Sequence, residues 1–488
     1  MKKAWYRLTA FLLAAIMLLS FVGCDTNEPD TDGNDTDLEE TTSAPETTCE
    51  EHTYVKTAEY EAMALRSGVR CFTCSTCGHY YEEMLPKTKS IKVLAIGNSF
   101  SKNTMEYLTD ICKDAGIETI VLGNLYIGGC TLDKHWTNIS GNAEAYEYFK
   151  NTSGSMKSVS KAKSVQAALA DEEWDVVTVQ QGSSVSGVAS SYDPYLNNIL
   201  SFLEENKPTE HTKIIWHMTW AYQSNSTHAS FPTYNKDQLT MYQKIVECVE
   251  SKINTDSRIA GVIPAGTAIQ NLRTSYVGDT VTQDGYHLNG SHGKYVGALT
   301  WYAYLTGGSI NAVTWVPSAY QQVLTADLAV MREAVSNALS KPLEITQSTK
   351  TEMTDAEQLQ RLGLNITNYQ LLDWQPKIGK YYYSTQSFNQ FSSSSKYTAS
   401  ALLTKAELPV GSVIIVDEGY EYRPEAWTTE AKLTTSRPGK VSKNVTLVND
   451  AWWGSYKYRA FNLSYTGAST TMTAADRAHL RIYVPKTN

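Results

Sequence analysis

The 488-residue chain has no excess of basic residues, since 42 lysines and arginines stand against 51 aspartates and glutamates and give a formal net charge of −9. Proteins that bind DNA or RNA need a basic face. The charge balance therefore argues against nucleic acid as a partner. Hydrophobic residues make up 42% of the chain, which is ordinary for a globular protein with a buried core. A chain of this length predicts two to four domains.

Long apolar runs are scarce, and the clearest one occupies residues 8–22 near the N-terminus. This run is short for a transmembrane helix. It follows a basic segment and ends at Gly23 and Cys24, an arrangement that is typical of a secretory signal peptide and that resembles a bacterial lipobox. We therefore expect residues 1–24 to be a lipoprotein signal peptide. Lipidation of Cys24 would anchor the protein to the outer side of the bacterial cell membrane.

Large apolar residues are nearly absent from residues 25–48, which are acidic and rich in threonine. A segment of this composition cannot bury enough surface to offset the entropy of ordering it. We expect a disordered linker that holds the protein off the membrane.

Cysteine is infrequent, with 8 in the chain, but several cysteines cluster in residues 49–87. A C-x-x-H and a C-x-x-C there resemble the two knuckles of a zinc ribbon, formed by Cys49, His52, Cys74 and Cys77. Four protein ligands leave no open position on the metal, so such a zinc ion would be structural. The alternative is disulfide pairing with Cys71 as an extra partner. The spacing favours the metal.

Residues 88–345 alternate apolar β-runs with amphipathic stretches of helical period. The predicted strands are 91–97, 117–126, 174–180, 213–219 and 258–264. The predicted helices are 104–115, 164–173, 195–206, 238–253, 292–305 and 326–338. This alternation predicts an α/β domain in which helices cover both faces of a parallel sheet, a three-layer α/β/α sandwich.

Residues 350–488 are rich in tyrosine, serine, threonine and tryptophan, in short alternating runs. Spaced short strands with turn signals predict a C-terminal β-sandwich domain. Aromatic clusters at 420–427 and 451–454 are open to two interpretations, because exposed rings stack on sugars and buried rings fill sandwich cores.

Polar loops follow several of the predicted strands, and the carboxyl ends of parallel strands meet at one edge of the sheet. Ser99 follows the first strand directly, whereas Asp284 and His287 precede the helix at 292–305. A carboxylate three residues before a histidine can orient the imidazole while its other nitrogen faces a serine. The pattern indicates a serine nucleophile.

These blocks resemble the SGNH/GDSL-type hydrolases, and within them a bacterial branch with an IGNSF nucleophile block. Asn98 and Ser99 match the family's GDS block with Asn in place of Asp, and Asp284 and His287 match its D-x-x-H block. The similarity covers residues 91–307. It implies that Ser99 is the nucleophile, His287 the general base and Asp284 the residue that orients the base.

The resemblance also implies an oxyanion hole. Gly129 falls where the family has its second block, whose glycine N–H binds the oxyanion. In the third block, Gln180 and Gln181 stand where the family has G-x-N-D. A glutamine amide can donate the same hydrogen bond, and we expect Gln181 to do so. Trp220 and Tyr222 are expected to contact the substrate.

The primary hypothesis is a surface-anchored serine esterase that removes small acyl groups such as acetyl from carbohydrate or another acylated small molecule, with no cofactor for catalysis. The second is a glycan-binding or adhesive surface lipoprotein with a degenerate hydrolase domain, which the altered third block and the aromatic C-terminal region favour. The third is a lipase or thioesterase. It would need a long apolar cleft, and the polar loops argue against one.

Overall fold

A computed structural model of the chain describes residues 51–151, 154–382, 392–427, 440–466 and 471–486. The expected signal peptide at 1–24 with Cys24, the linker at 25–48 and the expected ligand Cys49 lie outside these residues. Within the described part, no helix is long and apolar enough to cross a membrane.

The described chain divides into a small unit, residues 51–55 and 72–81, and a large unit, residues 56–71 and 82 onward. Three strands follow one another at the start of the described chain, and they form a sheet in the order β1-β2-β3. They are β1 (Tyr54–Tyr60), β2 (Gly68–Cys74) and β3 (Tyr80–Leu85).

The large unit contains a seven-stranded sheet in the order β10-β9-β8-β4-β5-β6-β7. Its strands are β4 (Ser90–Gly97), β5 (Thr119–Tyr126), β6 (Tyr146–Asn151), β7 (Met156–Lys163), β8 (Val176–Val179), β9 (Lys213–His217) and β10 (Ile259–Ile263). The strands from β10 to β5 are parallel, and β6 and β7 add an antiparallel hairpin at one edge. Most side chains of β4 and all those of β8 are buried, as is typical of parallel strands with both faces covered.

Helices connect and follow these strands. They are α1 (Ser99–Met105), α2 (Leu108–Asp114), α3 (Leu132–Ser140), α4 (Val165–Leu169), α5 (Tyr195–Asn206), α6 (Gln238–Cys248), α7 (Ala265–Arg273), α8 (His292–Thr306) and α9 (Gln321–Ser340). The prediction of a mixed α/β architecture with a largely parallel central sheet is confirmed. The hairpin of β6 and β7 was not predicted, because exposed lysines and serines alternate along β7 without an apolar face.

The C-terminal part forms an eight-stranded antiparallel sheet, which curls, after the short helix α10 (Asp355–Arg361). Its strands are β11 (Tyr369–Leu371), β12 (Lys377–Tyr381), β13 (Ser392–Ala399), β14 (Leu403–Thr404), β15 (Val413–Trp427), β16 (Val441–Leu447), β17 (Tyr458–Tyr465) and β18 (Leu480–Pro485), with α11 (Asp450–Trp453) between β16 and β17. Tyr422 and Trp453 of the aromatic clusters are buried in its core with Phe461.

The register of the central sheet brings the carboxyl ends of three parallel strands together. Gly97 of β4 is paired with Tyr126 of β5, and Ile96 is paired with Val179 of β8. The loops that follow β4, β5 and β8 therefore start side by side at one edge of the sheet. The candidate site lies at this edge, where open α/β sheets place their ligands.

Candidate active site

Ser99 is the first residue of α1, immediately after β4. The Oδ1 of Asn98 caps this helix by accepting the N–H of Phe100 over 2.9 Å. Gly97 leaves no room for a side chain, because an added Cβ would lie 2.4 Å from the Oγ of Ser101. The tight turn presents the half-buried Ser99 hydroxyl at the edge of the sheet. The main-chain N–H of Ser99 belongs to the first turn of α1, where N–H groups lack intrahelical acceptors.

The segment from Gln283 to Leu288 forms a closed loop opposite this turn. The N–H of Gln283 donates to the carbonyl of His287 over 2.9 Å, and Gly285 has a φ of +91°. A Cβ on Gly285 would lie 3.0 Å from the side chain of Ser226, so this position requires glycine. The N–H of Leu288 donates to the Oδ1 of Asn103 over 3.0 Å, which ties the loop to α1.

The structure brings Ser99, His287 and Asp284 into hydrogen-bond contact. The Nε2 of His287 lies 2.8 Å from the Oγ of Ser99, and its Nδ1 lies 2.7 Å from the Oδ2 of Asp284. The Oδ1 of Asp284 accepts the main-chain N–H groups of His287 over 2.8 Å and Tyr286 over 3.2 Å. Partial burial raises the pKa of Asp284, but hydrogen bonds from His287 and Tyr286 outweigh it and hold this pKa below its usual value. An ionised carboxylate, an oriented imidazole and a hydroxyl in this order can activate the hydroxyl as a nucleophile.

The loop after β5 packs beside the Ser99 turn. The N–H of Ile127 donates to the carbonyl of Gly97 over 3.4 Å, and the Nδ2 of Asn98 donates to the carbonyl of Cys130 over 3.1 Å. Between them, Gly129 has a φ of +61°. Among the described residues, no main-chain carbonyl accepts the Gly129 N–H. This N–H is therefore available to a ligand.

The loop after β8 packs on the Gly129 loop through Gly182. An added Cβ on Gly182 would lie 2.7 Å from the Cγ2 of Thr131 and 3.0 Å from the carbonyl of Cys130. Glycine is therefore needed for the two loops to approach this closely.

The family model described as "Domain of unknown function (DUF4886)" matches residues 92–338, which include every residue of this site. The chain belongs to the DUF4886 family. The crystal structure of a DUF4886 family protein from Bacteroides uniformis ATCC 8492, at 1.50 Å resolution, is 38% identical to this chain. The structural match covers 54% of this chain and 100% of the Bacteroides uniformis chain, with a TM-score of 0.51. No curated protein matches the chain.

The expected role of Gln181 in the DUF4886 domain is not supported by its contacts. Its Nε2 donates to the carbonyl and the Oγ of Ser191 over 3.1 and 3.0 Å, and its Oε1 accepts the N–H groups of Leu132 and Gly182. Gln181 is also buried. Because both N–H groups of the amide are already used, Gln181 is a structural link between loops and not an oxyanion donor.

Gln180 lies in a buried chain of polar side chains that leads to the Ser99 turn. Its Nε2 donates to the Oδ1 of Asn98 over 2.8 Å, and its Oε1 lies 2.8 Å from the Nδ1 of His217. His217 is buried. Burial lowers the pKa of His217 to about 3. Neutral His217 then donates its Nδ1–H to Gln180, which orients the amide toward Asn98.

Trp220 and Tyr222 do not line an open surface, which corrects their prediction as substrate contacts. Both are 0% exposed. Trp220 stacks on Phe100 at 4.1 Å and donates its Nε1–H to the carbonyl of Tyr286 over 2.7 Å. The hydroxyl of Tyr222 contacts Ser183 over 3.1 Å. Their large apolar rings pack behind the site and support it.

The half-buried rings of Tyr286 and His228 lie next to His287, where Trp220 and Tyr222 were expected. Tyr286 lies 4.1 Å from the His287 ring, and His228 meets Tyr286 edge-on at 4.8 Å. Partial burial and the nearby His287 lower the pKa of His228. Tyr286 could have been found from sequence, since it belongs to the D-x-x-H block itself.

A separate candidate metal centre lies in the small unit. One potential ligand atom from each of His52, Cys74 and Cys77 lies within 4.8 Å of the others. Hydrogen bonds from the main chain at Cys77 and Thr76 lower the pKa of Cys74 to about 5, which favours the thiolate that binds metals. Every described cysteine is a free thiol, so the disulfide alternative finds no support among the described residues.

Proposed function

We propose that this DUF4886 protein is a serine esterase in which Ser99, His287 and Asp284 are the catalytic residues. The Oγ of Ser99 attacks the ester carbonyl while the Nε2 of His287 takes its proton. The leaving alcohol receives that proton, and an acyl-Ser99 intermediate remains. His287 then takes a proton from a water molecule as that water attacks the acyl carbonyl. The bond between the acyl carbon and the Oγ of Ser99 breaks, His287 returns the proton to this Oγ, and the free acid leaves. The hydrogen-bonded line from Ser99 through His287 to Asp284 carries this proposal.

Two main-chain N–H groups are proposed to bind the oxyanion, those of Ser99 and Gly129. Their support is the open N–H of Gly129 and its position beside the Ser99 turn. Each such donor typically contributes about 10²–10³-fold in turnover. No glutamine side chain is needed in this arrangement.

The finer fold assignment is part of the same proposal. We infer a three-layer α/β/α sandwich of the SGNH/GDSL type around the central sheet, and a β-sandwich arrangement of the C-terminal strands. The parallel order of β10 to β5 and the loops at their carboxyl ends support the first.

The proposed substrate is a small acyl ester, such as an acetyl group, on carbohydrate or another small molecule. The half-buried Tyr286 and His228 beside His287 support this choice, because they offer an aromatic and a polar surface in place of the long apolar cleft that a lipase needs. We further propose attachment to the outer face of the bacterial membrane through lipidated Cys24. Fatty-acid labelling of the protein and of Cys24→Ala tests this attachment, and equal labelling of both would contradict it.

The small unit is proposed to bind one structural zinc ion through His52, Cys74 and Cys77, with Cys49 as the fourth ligand. Cysteine and histidine are the side chains that zinc prefers in structural sites, and four protein ligands close the metal to water. The ion would stabilise the fold of this unit and take no part in ester hydrolysis.

The alternative function is a non-catalytic glycan-binding protein with a degenerate hydrolase domain. The loop after β8 favours this alternative, because the amide N–H groups of Gln181 donate to Ser191 and are not free to bind an oxyanion. This alternative predicts no turnover of any ester.

Hydrolysis of p-nitrophenyl acetate, butyrate and palmitate by the purified protein separates these functions. The esterase proposal predicts turnover of the short esters only, and a loss of at least about 10³-fold in Ser99→Ala. Ser224→Ala makes the same change at an exposed serine that has no proposed role in catalysis, and this variant should keep full activity. Equal rates in the wild type and Ser99→Ala would overturn the proposal, and faster turnover of palmitate would favour a lipase.

A further inference from the structure

A cavity of about 280 Å³ lies on the C-terminal sheet, and neither the proposed esterase mechanism nor the family assignment uses it. Its lining includes two tyrosines, two cations, a carboxylate and an amide, namely Tyr381, Tyr397, Arg423, Lys440, Glu421 and Asn462. The volume is just below the roughly 300–1,000 Å³ of pockets for drug-sized ligands. It suits one small ring with polar substituents.

The polar lining follows from the alternation of side chains along β15. Tyr422 packs into the core, so its neighbours Glu421 and Arg423 extend from the opposite face. Across the sheet, Glu421 is paired with Ser464 of β17, and Arg423 is paired with Asn462. Four polar side chains from two central strands therefore converge on one side of the sheet.

Several of these groups are held in place before any ligand binds. Glu421 is 8% exposed, and its Oε1 accepts hydrogen bonds from Lys440 and, over 3.1 Å, from the Oγ of Ser464. The side chain of Asn462 is fixed by the main chain of Tyr382, whose N–H it accepts over 2.8 Å and whose carbonyl it binds over 3.0 Å. Little reorganisation is needed for a ligand to meet these side chains.

One donor in the lining has no acceptor. The Nε of Arg423 is buried, and no atom of the described residues accepts a hydrogen bond from it. A buried donor without a partner is unfavourable, so a ligand oxygen that reaches this nitrogen would relieve the cost.

The two tyrosines add an aromatic surface to the same cavity. The rings of Tyr381 and Tyr397 lie 5.0 Å apart and are tilted by 31°. Aromatic rings stack on the apolar C–H face of a sugar while their hydroxyl groups bind its oxygens. The aromatic clusters that the sequence indicated lie largely in the core, whereas these two rings are half-buried.

We propose that this cavity binds a single pyranose ring of a glycan. Glu421 accepts hydrogen bonds from the sugar hydroxyls, Arg423 and Lys440 donate to its oxygens, and Tyr397 packs on the ring. The site goes beyond the proposed esterase and does not depend on Ser99. It would make the protein a carbohydrate binder in its own right.

Saturation-transfer NMR on the full chain tests this site, with the methyl glycosides of glucose, galactose, mannose, xylose and N-acetylglucosamine as probes. At least one glycoside should bind. Its affinity should fall at least about tenfold in Tyr397→Ala and in Glu421→Gln, since a hydrogen bond to a charged group and a stacked ring are each strong enough for that loss. Tyr397→Phe keeps the ring and should retain binding. Tyr60→Ala removes an exposed tyrosine elsewhere and should change nothing.

Glu421→Gln preserves the size of the side chain and the acceptor for Ser464, so it tests the site even where Tyr397→Ala fails to fold. Absence of binding by every glycoside, or equal binding by the wild type and a folded Glu421→Gln, would overturn the proposal. Hydrolysis of p-nitrophenyl acetate is measured on the same samples. A failure of glycoside binding with hydrolysis intact removes this site and leaves the esterase proposal standing.

Discussion

The Nε2 of Gln180 donates a hydrogen bond of 2.8 Å to the Oδ1 of Asn98, which caps the helix that begins with Ser99. Gln180 also receives the Nδ1–H of His217, so that it connects the core to the Ser99 turn. Gln180 thus acts through Asn98 and is a positioning residue. Gln180 therefore supports the Ser99 turn from within the core, a role that differs from oxyanion binding.

We predict that Gln180→Leu will lower the free energy of unfolding by about 1–3 kcal/mol, because it leaves the buried Nδ1–H of His217 without an acceptor. It should lower kcat for p-nitrophenyl acetate while KM changes little, since the Ser99 turn loses one support. Urea unfolding and steady-state kinetics measure the two effects. Gln370→Leu changes an exposed glutamine of β11 and should affect neither. A normal kcat in Gln180→Leu would contradict the positioning role.

Asp284→Asn should lower kcat by roughly 10²–10⁴-fold, because a neutral amide no longer favours the imidazole orientation and charge that the reaction needs. The side chain of Asp284 is 39% exposed, so we expect little change in stability. Rates between pH 5 and 9 provide the measurement. A loss of less than threefold in Asp284→Asn would show that His287 is oriented by other groups.

Gly129→Ala and Gly116→Ala form a matched pair. Both glycines have a positive φ, +61° and +83°, and an added Cβ would meet no atom within 4 Å at either position. Each substitution should therefore destabilise the fold by a similar amount, about 1 kcal/mol. Only Gly129→Ala should lower kcat, by about tenfold or more, because it shifts an N–H that is proposed to bind the oxyanion. Equal activity of the two variants in the p-nitrophenyl acetate assay would remove Gly129 from the site.

The alternation of apolar runs was sufficient to predict the parallel strands and the edge where their loops meet. Buried parallel strands are continuous apolar segments such as β4, and this signal is local. The predicted helix at 104–115 covers the end of α1 and all of α2, which a turn at residues 106–107 separates. Helix α1 itself starts earlier than predicted, at Ser99 after the Asn98 cap. The hairpin of β6 and β7 depends on pairing at the sheet edge, which no short window of sequence encodes.

The triad geometry could be anticipated because Asp284 and His287 are close in sequence and lie in a recognisable block. Gln181, Trp220 and Tyr222 could not be assigned in the same way. Whether a polar or aromatic side chain at a strand end faces the solvent or another loop depends on contacts such as those of Gln181 with Ser191. Those contacts join residues from different loops and leave no periodic signal in the sequence.

The zinc proposal predicts about one equivalent of zinc in the purified protein, because a closed four-ligand site holds the ion tightly. Cys77→Ser should reduce the content to well below half an equivalent, as measured by plasma mass spectrometry. Cys71→Ser removes the cysteine that the disulfide alternative would use, and it should keep the metal. Loss of zinc in Cys71→Ser, or metal-free wild type after expression with added zinc, would contradict the assignment. Ester hydrolysis should survive the loss of zinc.

The buried His217 predicts that the free energy of unfolding falls in mild acid. Burial lowers its pKa to about 3 in the folded protein, whereas an unfolded histidine has a pKa of about 6.5. At pH 7, His217 is largely neutral in both the folded and the unfolded state. As the pH falls below about 6.5, His217 becomes protonated in the unfolded chain but stays neutral in the folded protein. The free energy of unfolding therefore decreases progressively down to about pH 3. Between pH 7 and pH 5 the titration of His217 lowers the free energy of unfolding by about 2 kcal/mol.

His217→Asn keeps an N–H donor for Gln180 but does not titrate. Urea unfolding at pH 7 and pH 5 should therefore show a smaller loss of stability in this variant than in the wild type, by about 2 kcal/mol. His211→Asn alters an exposed histidine and should retain the wild-type difference between the two pH values. An identical pH dependence in His217→Asn and the wild type would mean that His217 is protonated in the folded protein. In that case the Gln180 amide would still receive the Nδ1–H, and the Nε2 of His217, to which no described residue offers a hydrogen-bond partner, would also be protonated in the core.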